Sequence, residues 1–239
     1  GRMRLFQPRA GYRAGVDPVL LAASVPARAG QSVLELGCGA GPGLCCLGVR
    51  VPELRLAGLE LQPAYAALCR RNLAANGLEG QVWAGDLRAP PREMRAETFD
   101  HVMMNPPYFL GDQRRAALDA GREVALAGET PLSAWVETAA RRLKPRGHLH
   151  VILRAERLPE LMATVSARLG SLELVPLVPR VGRAPRLILL RARKDGRAPF
   201  RFHPALILHE GARHVDDAEN YSPEVRAVVR DGAALPWAS

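Results

Sequence analysis

Apolar residues recur along the chain in two rhythms. "SVLEL" (32–36), "LRLAGLE" (54–60), "QVWAGD" (81–86), "FDHVMMN" (99–105) and "HLHVIL" (148–153) are short apolar runs bounded by turn residues, which predicts five strands. A second rhythm, with a period near 3.6 residues, predicts helices between them. Pro63 to Asn76 places Tyr65, Leu68, Cys69, Asn72 and Leu73 on one face and has Gly77 as its stop. Leu132, Trp135, Val136, Ala139, Ala140 and Leu143 mark a second helix, and Leu158, Leu161, Met162, Val165 and Leu169 a third. Near the start, Asp17 as N-cap and Pro18 at the first helical position predict a short helix over 17–24.

Two further runs, "LELVPLV" (172–178) and "RLILLRAR" (186–193), stand only seven residues apart, so they must pair as an antiparallel hairpin. Strands alternating with helices and closed by a hairpin predict an α/β fold. It is a doubly wound, mostly parallel sheet of seven strands with an antiparallel C-terminal hairpin. The length of 239 residues suits one domain over 1–239. It would comprise a lead-in with the short helix (1–30), a core (31–155), and the hairpin with a basic region (156–239).

Composition narrows the partners. Lys and Arg total 33 against 24 acids, for a formal charge of +9. Only Lys144 and Lys194 are lysines, so the charge is almost all guanidinium, whose planar fork suits phosphate. From Arg180 to Arg201 eight basic residues, among them Arg180, Arg183, Arg186 and Arg197, face one acid, Asp195. Such a block can track phosphates of a nucleic acid; a solvated strand face is the plainer account. Cys38, Cys45, Cys46 and Cys69 form no C-x-x-C pair and have no histidine at ligand spacing, so no metal is expected. They suit a cytoplasmic protein with reduced thiols. Ser32 to Val49, the longest stretch of low charge, carries Glu35, Pro42 and five glycines, and no membrane span is expected there. No signal-peptide pattern opens the chain. Nothing in the composition decides between a monomer and a homodimer.

The chemistry is carried by turns at the strand ends. "ELGCGAGPG" puts glycine at 37, 39, 41 and 43, where backbone can approach a ligand closely. The dinucleotide pattern G-x-G-x-x-G fails in each register, meeting Pro42, Leu44 or Cys46 where its third glycine belongs. The turn instead resembles motif I of the class I S-adenosylmethionine-dependent methyltransferases, which implies their Rossmann-like fold and that cofactor. Such a site also needs an acid for the ribose hydroxyls after the second strand, and Glu60 stands 23 residues beyond Gly37. A group for the adenine is needed after the third strand, and Asp86 in "AGDL" fits. Leu61 and Leu87, each following one of these acids, and Cys38 and Gly41 in the turn complete the expected cofactor set. Glu35 either orients the turn or accepts backbone donors as a structural acid.

"NPPY" (105–108) follows the fourth strand. It resembles motif IV of amino-methyltransferases that act on planar amide or aromatic nitrogens. The oxygen of Asn105 and the carbonyl of Pro106 can accept the hydrogens of a conjugated amine, with the rigid φ of Pro106 and Pro107 holding them in place. Tyr108 offers a face on which a base can stack. "GYRAGVDPVLLAA" (11–23) and "ENYSPEVRAV" (219–228) extend the resemblance to the bacterial family that N6-methylates adenosine 37 in the anticodon loop of a valine tRNA. It spans about residues 5 to 230 and implies that Asp17 borders the cofactor pocket. Ser222 before Pro223 reads as an ordinary helix start. The expected substrate is therefore structured RNA, a tRNA first. Arg114, Arg115 and Arg122, in the long segment after "NPPY", would form a second basic rim beside the pocket.

Alternatives differ in what they need around this centre. A protein glutamine N5-methyltransferase would carry the same tetrad, usually behind a helical substrate-binding domain, whereas about 30 residues precede motif I here. A DNA adenine methyltransferase needs a target-recognition domain for which no segment is spare. An RNA-binding module without activity would be expected to lose Asn105 or the glycines. A small-molecule methyltransferase would leave the arginine block unexplained.

Overall fold

The computed structural model describes residues 3–9, 13–107, 130–211 and 220–236. Its elements in chain order are α1 (Asp17–Ser24), β1 (Ser32–Leu36), α2 (Pro42–Arg50), β2 (Arg55–Glu60), α3 (Pro63–Ala75), β3 (Gly80–Ala84), α4 (Arg92–Arg95), β4 (Phe99–Met104), α5 (Leu132–Arg142), β5 (Leu143–Arg154), α6 (Leu158–Ser166), β6 (Gly170–Val178), β7 (Leu187–Arg193), β8 (Arg201–Phe202), β9 (Leu206–Ile207) and α7 (Pro223–Arg226). All seven expected strands are present. The sheet has nine strands rather than seven, in the order β3-β2-β1-β4-β5-β7-β6-β8, with β9 also paired to β6. The two extra strands are two residues each, too short to show a period in the sequence.

β1 pairs in parallel with β2 and β4, and β4 with β5. β7 then runs antiparallel between β5 and β6. β1 is buried along its whole length, as a central strand covered on both faces must be. One face packs against α5 and α6 through Leu36, Met104, Val151, Leu174 and Leu190. The other packs against α1, α2 and α3 through Val33, Met103, Ile152 and Leu189. Leu132, Trp135, Val136 and Ala139 form the buried stripe of α5, as its period requires. The cap of α1 differs from expectation: Val16 is the N-cap and Asp17 already lies in the first turn. Pro18, with no N–H to give, is tolerated at the second helical position, one residue further in than expected. Ser222 does cap α7, accepting from Val225 N.

The strand registers align one row across the sheet, Leu36–Met104–Val151–Leu190–Leu174–Phe202. Leu36 and Met104 end their strands, so the row marks the level at which β1 and β4 hand over to loops. Lower down, His101 on β4 and His148 and His150 on β5 cluster with ring centroids 5.3–6.3 Å apart. His101 Nδ1 lies 3.1 Å from His150 Nε2, and His101 Nε2 lies 3.2 Å from Gln31 Oε1. Burial holds these rings neutral, pushing His101 and His148 down to about 4 and His150 well below the usual histidine value.

Candidate active site

Where β1 ends, the chain turns at once. Gly37 has φ +67°, and a Cβ there would stand 2.7 Å from Cη2 of Trp135 on α5. Only glycine meets both demands. Gly37 N and Cys38 N donate to Leu59 O at 2.8 and 3.1 Å, which lays the turn along β2. Gly41, at φ +81°, caps α2 and backs onto Cys69, whose Sγ would be 2.5 Å from an added Cβ. It therefore packs behind the turn.

Two carboxylates stabilise this bend. Glu60, at the end of β2, accepts from Gly39 N at 2.8 Å and from Gln62 N at 3.0 Å. Burial raises its pKa against the pull of these N–H donors. Glu35 accepts from Leu44 N at 3.1 Å, inside the first turn of α2. Burial and the nearby Cys69 thiol hold Glu35 well above the usual carboxylate range.

Asn72, fully buried on α3, joins this region to the start of the chain. Its Nδ2 donates to Ala40 O (2.8 Å) and Phe6 O (2.9 Å), and its Oδ1 accepts from Phe6 N (2.7 Å). One turn further on, Asn76 makes a matching pair of bonds with Arg4 N and Arg4 O. Arg71 lies over the Phe6 ring, 4.1 Å from its centroid. Residues 3–9 are thereby fixed along α3, and Gln7 reaches the cleft, its Oε1 accepting from Ala14 N at 2.8 Å.

The cleft so formed has an empty volume of about 1030 Å³, its open mouth included. Of the expected site residues, Glu35, Gly37, Cys38, Gly39, Glu60, Asn105, Pro106 and Pro107 line it. Asp17, Gly41, Leu61, Asp86 and Leu87 do not. Pro18 stands in the wall beside Asp17, and Leu61 is 39% exposed. Asp86 is ion-paired with Arg88 at 2.7 Å, while the carbonyl of Leu87 accepts from Thr138. The Arg88 guanidinium holds Asp86 below the usual carboxylate range. Gln7, Ala14, Pro18, Gln62, Tyr65 and Trp135 also line the cleft; the sequence had placed Pro18, Tyr65 and Trp135 on helices and had assigned none of the six to the site. Tyr108 lies outside the described residues.

Asn105 follows β4 and faces this space with Pro106 and Pro107. The carbonyl of Pro107 accepts from Arg157 Nη1 at 3.1 Å, and Glu160 holds the same guanidinium at 3.0 Å. Among the described residues nothing donates to the Pro106 carbonyl. Arg157 was not foreseen, because the element that brings it here begins some 50 residues later in the chain.

The basic residues divide between the two ends of the sheet. β6 runs in the same sense as β4, so the β6–β7 loop with Arg180, Arg183 and Arg186 leaves the sheet at the end that carries the cleft. β7 runs the opposite way, which puts Arg197 at the other end. Arg180 is bonded to the carbonyls of Glu210 and Gly211. Arg191 pairs with Glu173 at 2.7 Å inside the sheet. Among the described residues Arg183, Arg186 and Arg197 have no side-chain partner and are exposed. Arg114, Arg115 and Arg122 lie outside the described residues.

The lining decides what the cleft can hold. It contains two buried carboxylates and backbone of a glycine turn, and no Lys or Arg among the described residues. A pyrophosphate would find no counter-charge. A phosphate-free nucleoside, as S-adenosylmethionine is, needs none. Among the described residues no group of three or more His, Cys, Asp or Glu is placed to hold a metal ion, and no helix is long and apolar enough to cross a membrane.

Known proteins agree with this geometry. Residues 15–175 match the family of the methyltransferase small domain. The chain is 30% identical over 239 aligned residues to a tRNA1(Val) (adenine(37)-N6)-methyltransferase of Porphyromonas gingivalis, covering 93% of this chain and 89% of that one. A protein of the same name from Tolumonas auensis is 29% identical, with 79% of each chain covered. Among solved structures, a predicted O-methyltransferase of Agrobacterium tumefaciens superposes with a TM-score of 0.73 at 26% identity, over 92% of this chain and 98% of that one. Glycine turn, buried acid and Asn-Pro-Pro bend thus share one cleft in a chain that belongs to the methyltransferase small domain family, and the protein is an S-adenosylmethionine-dependent methyltransferase.

Proposed function

We propose that the protein methylates the N6 amine of adenine in structured RNA, a tRNA by analogy with its relatives' named activity. The observation that carries this reading is that Asn105 and Pro106 line the same cleft as the glycine turn and Glu60. Bound S-adenosylmethionine supplies an electrophilic methyl group on a sulfonium. The backbone of Gly37 to Gly39 lies against that cofactor, and Glu60 takes its ribose hydroxyls.

The protein's task is then to make a poor nucleophile react. The adenine amine is flat because its lone pair is delocalised into the ring. Two acceptors on its hydrogens, Asn105 Oδ1 and the Pro106 carbonyl, favour a tetrahedral nitrogen with a localised lone pair. The bend needs no reorganisation, since both prolines have fixed φ and Arg157 fixes the Pro107 carbonyl from behind. The methylated nitrogen is acidic and gives its extra proton to solvent, so no strong base is required. Arg180, Arg183 and Arg186 attract the RNA phosphates at this end of the sheet; Tyr108, Arg114, Arg115 and Arg122 are assigned to the substrate side of the same pocket. Arg197 would meet RNA only if the substrate wraps the sheet edge. The whole chain acts as one cytoplasmic catalytic unit, residues 31–155 holding the cofactor and 156–239 the RNA.

Transfer of labelled methyl into total RNA and total protein, followed by hydrolysis and nucleoside analysis, tests this. Label is expected in N6-methyladenosine of the tRNA fraction. Label in protein glutamine would replace this reading with the amide-methylating one.

A further inference from the structure

The edge of the sheet farthest from the cofactor half carries an unusual surface. β8 exposes Phe202 (65%) and the residue before the strand, Phe200 (49%), and these are the most exposed aromatic side chains described. They are two residues apart, so they share a face, and their rings meet edge to face with centroids 6.3 Å apart. Arg201 stands between them in sequence, also exposed, and Arg197 lies four residues before it. An exposed apolar edge strand invites aggregation, and proteins usually blunt it with charge or proline. Pro199, Arg201 and Pro204 do so here, yet two phenyl rings remain outside.

Their position gives the reason. Phe202 lies in the row that contains Leu36 and Met104, the residues immediately before the glycine turn and Asn105. Four strand spacings separate β4 from β8 in the sheet order, and at ~4.8 Å each that is about 19 Å. Stacked nucleotides rise ~3.4 Å each along a strand, so the interval corresponds to roughly five to six of them. From the same row β6 continues for four residues to the loop with Arg183 and Arg186. Aromatic faces at the level of the reaction centre, with unpaired guanidinium groups beyond them, are the combination that binds unpaired nucleotides.

We propose that Phe200 and Phe202 form a stacking platform for an unpaired base of the RNA substrate, roughly five to six nucleotides from the base that is methylated. The proposal rests on the RNA-methyltransferase reading above. Stacking is tolerant of base identity, so the platform sets how far from a loop base the substrate must extend, not which base lies there. Arg183 and Arg186 neutralise phosphates between the two points.

The test compares the intact protein with F200A/F202A, with F200Y/F202W and with R183E/R186E. All four positions are exposed, so the fold does not depend on them. Steady-state methylation of a tRNA anticodon stem-loop and of the same stem with its loop cut back to three nucleotides would be measured, together with S-adenosylmethionine affinity. F200A/F202A is expected to raise KM for the full stem-loop roughly 10- to 100-fold, the loss of one stacked base. It should leave kcat and cofactor affinity unchanged, and the aromatic replacements should restore KM. The shortened loop should show a high KM with every variant. An unchanged KM in F200A/F202A, with R183E/R186E still impaired, would overturn the platform and leave the RNA reading intact. Absence of RNA methylation by the unaltered protein would remove both. A dimer by sedimentation that F200A/F202A converts to monomer without change in KM would make the pair an interface between copies, and would also overturn the proposal.

Discussion

The half of the sheet from β3 to β4 and the half from β5 to β9 treat their polar and apolar groups in opposite ways. In the first half the buried polar side chains are engaged: Glu35 with Leu44 N, Glu60 with Gly39 N and Gln62 N, Asn72 with three backbone groups. In the second half Arg183, Arg186 and Arg197 stand in water, and Val181, Phe200 and Phe202 are exposed. A cofactor of constant shape is served by a closed cleft whose donors and acceptors are already in place. A large, charged and partly flexible polymer is served by exposed charge and aromatic faces that act over distance. The contrast teaches that one sheet can be preorganised on one side and adaptable on the other.

Substitutions can break that contrast at known points. The largest effect is expected from Asn105→Ala, with kcat falling ~10²- to 10³-fold while cofactor affinity stays near normal. Equal loss of both, by calorimetry alongside turnover, would show that Asn105 belongs to the cofactor side. Next comes Glu60→Ala, which strips Gly39 N and Gln62 N of their acceptor along with the ribose site. Its S-adenosylmethionine affinity should weaken by about 3 kcal/mol, or ~100-fold, with RNA binding by filter retention little changed.

The smallest effect lies at the seam between the halves, where β4 meets β5. His101, His148 and His150 are held neutral in the fold, below the ordinary histidine pKa of 6.5. Asp100, Gln31, Arg191, Arg193 and Glu173 surround them. The unfolded chain binds protons first, so stability is complete above pH 6.5 and declines as pH falls towards 4. His101 alone accounts for about 2 kcal/mol between pH 6.5 and 5. Urea midpoints at the two pH values measure this, and His101→Gln should flatten the slope. An unchanged slope in that variant would mean that other groups govern acid unfolding.

Much of the closed half was legible from the sequence because its information is local. β1 is found at the expected residues, since Val33, Leu34 and Leu36 stand close together between turn signals. Glycine turn, Glu60 and Asn105 each follow a strand directly, so finding the strand finds the site. What was not legible comes from long-range contact. Trp135 was read correctly as buried on α5, yet nothing in a helical period says that its ring meets Gly37. Arg157 reaches Pro107 only because β5 and its following turn lie beside β4. Asp86 follows β3 as expected, but it does not line the cleft and its carboxylate is paired with Arg88 two residues away, a local contact the strand pattern does not announce. One signal was available and passed over. Asn72 and Asn76 sit one helical turn apart, with Asn72 among apolar residues, a sign that an extended segment docks there.

That pair of asparagines has a consequence for the integrity of the cleft. Asn72 grips Ala40, in the floor, and Phe6, beside the rim, with a single amide. Rim and floor cannot loosen separately. Losing that one amide would strip Phe6 N, Phe6 O and Ala40 O of a partner at once, so the lead-in and the glycine turn share a single point of failure.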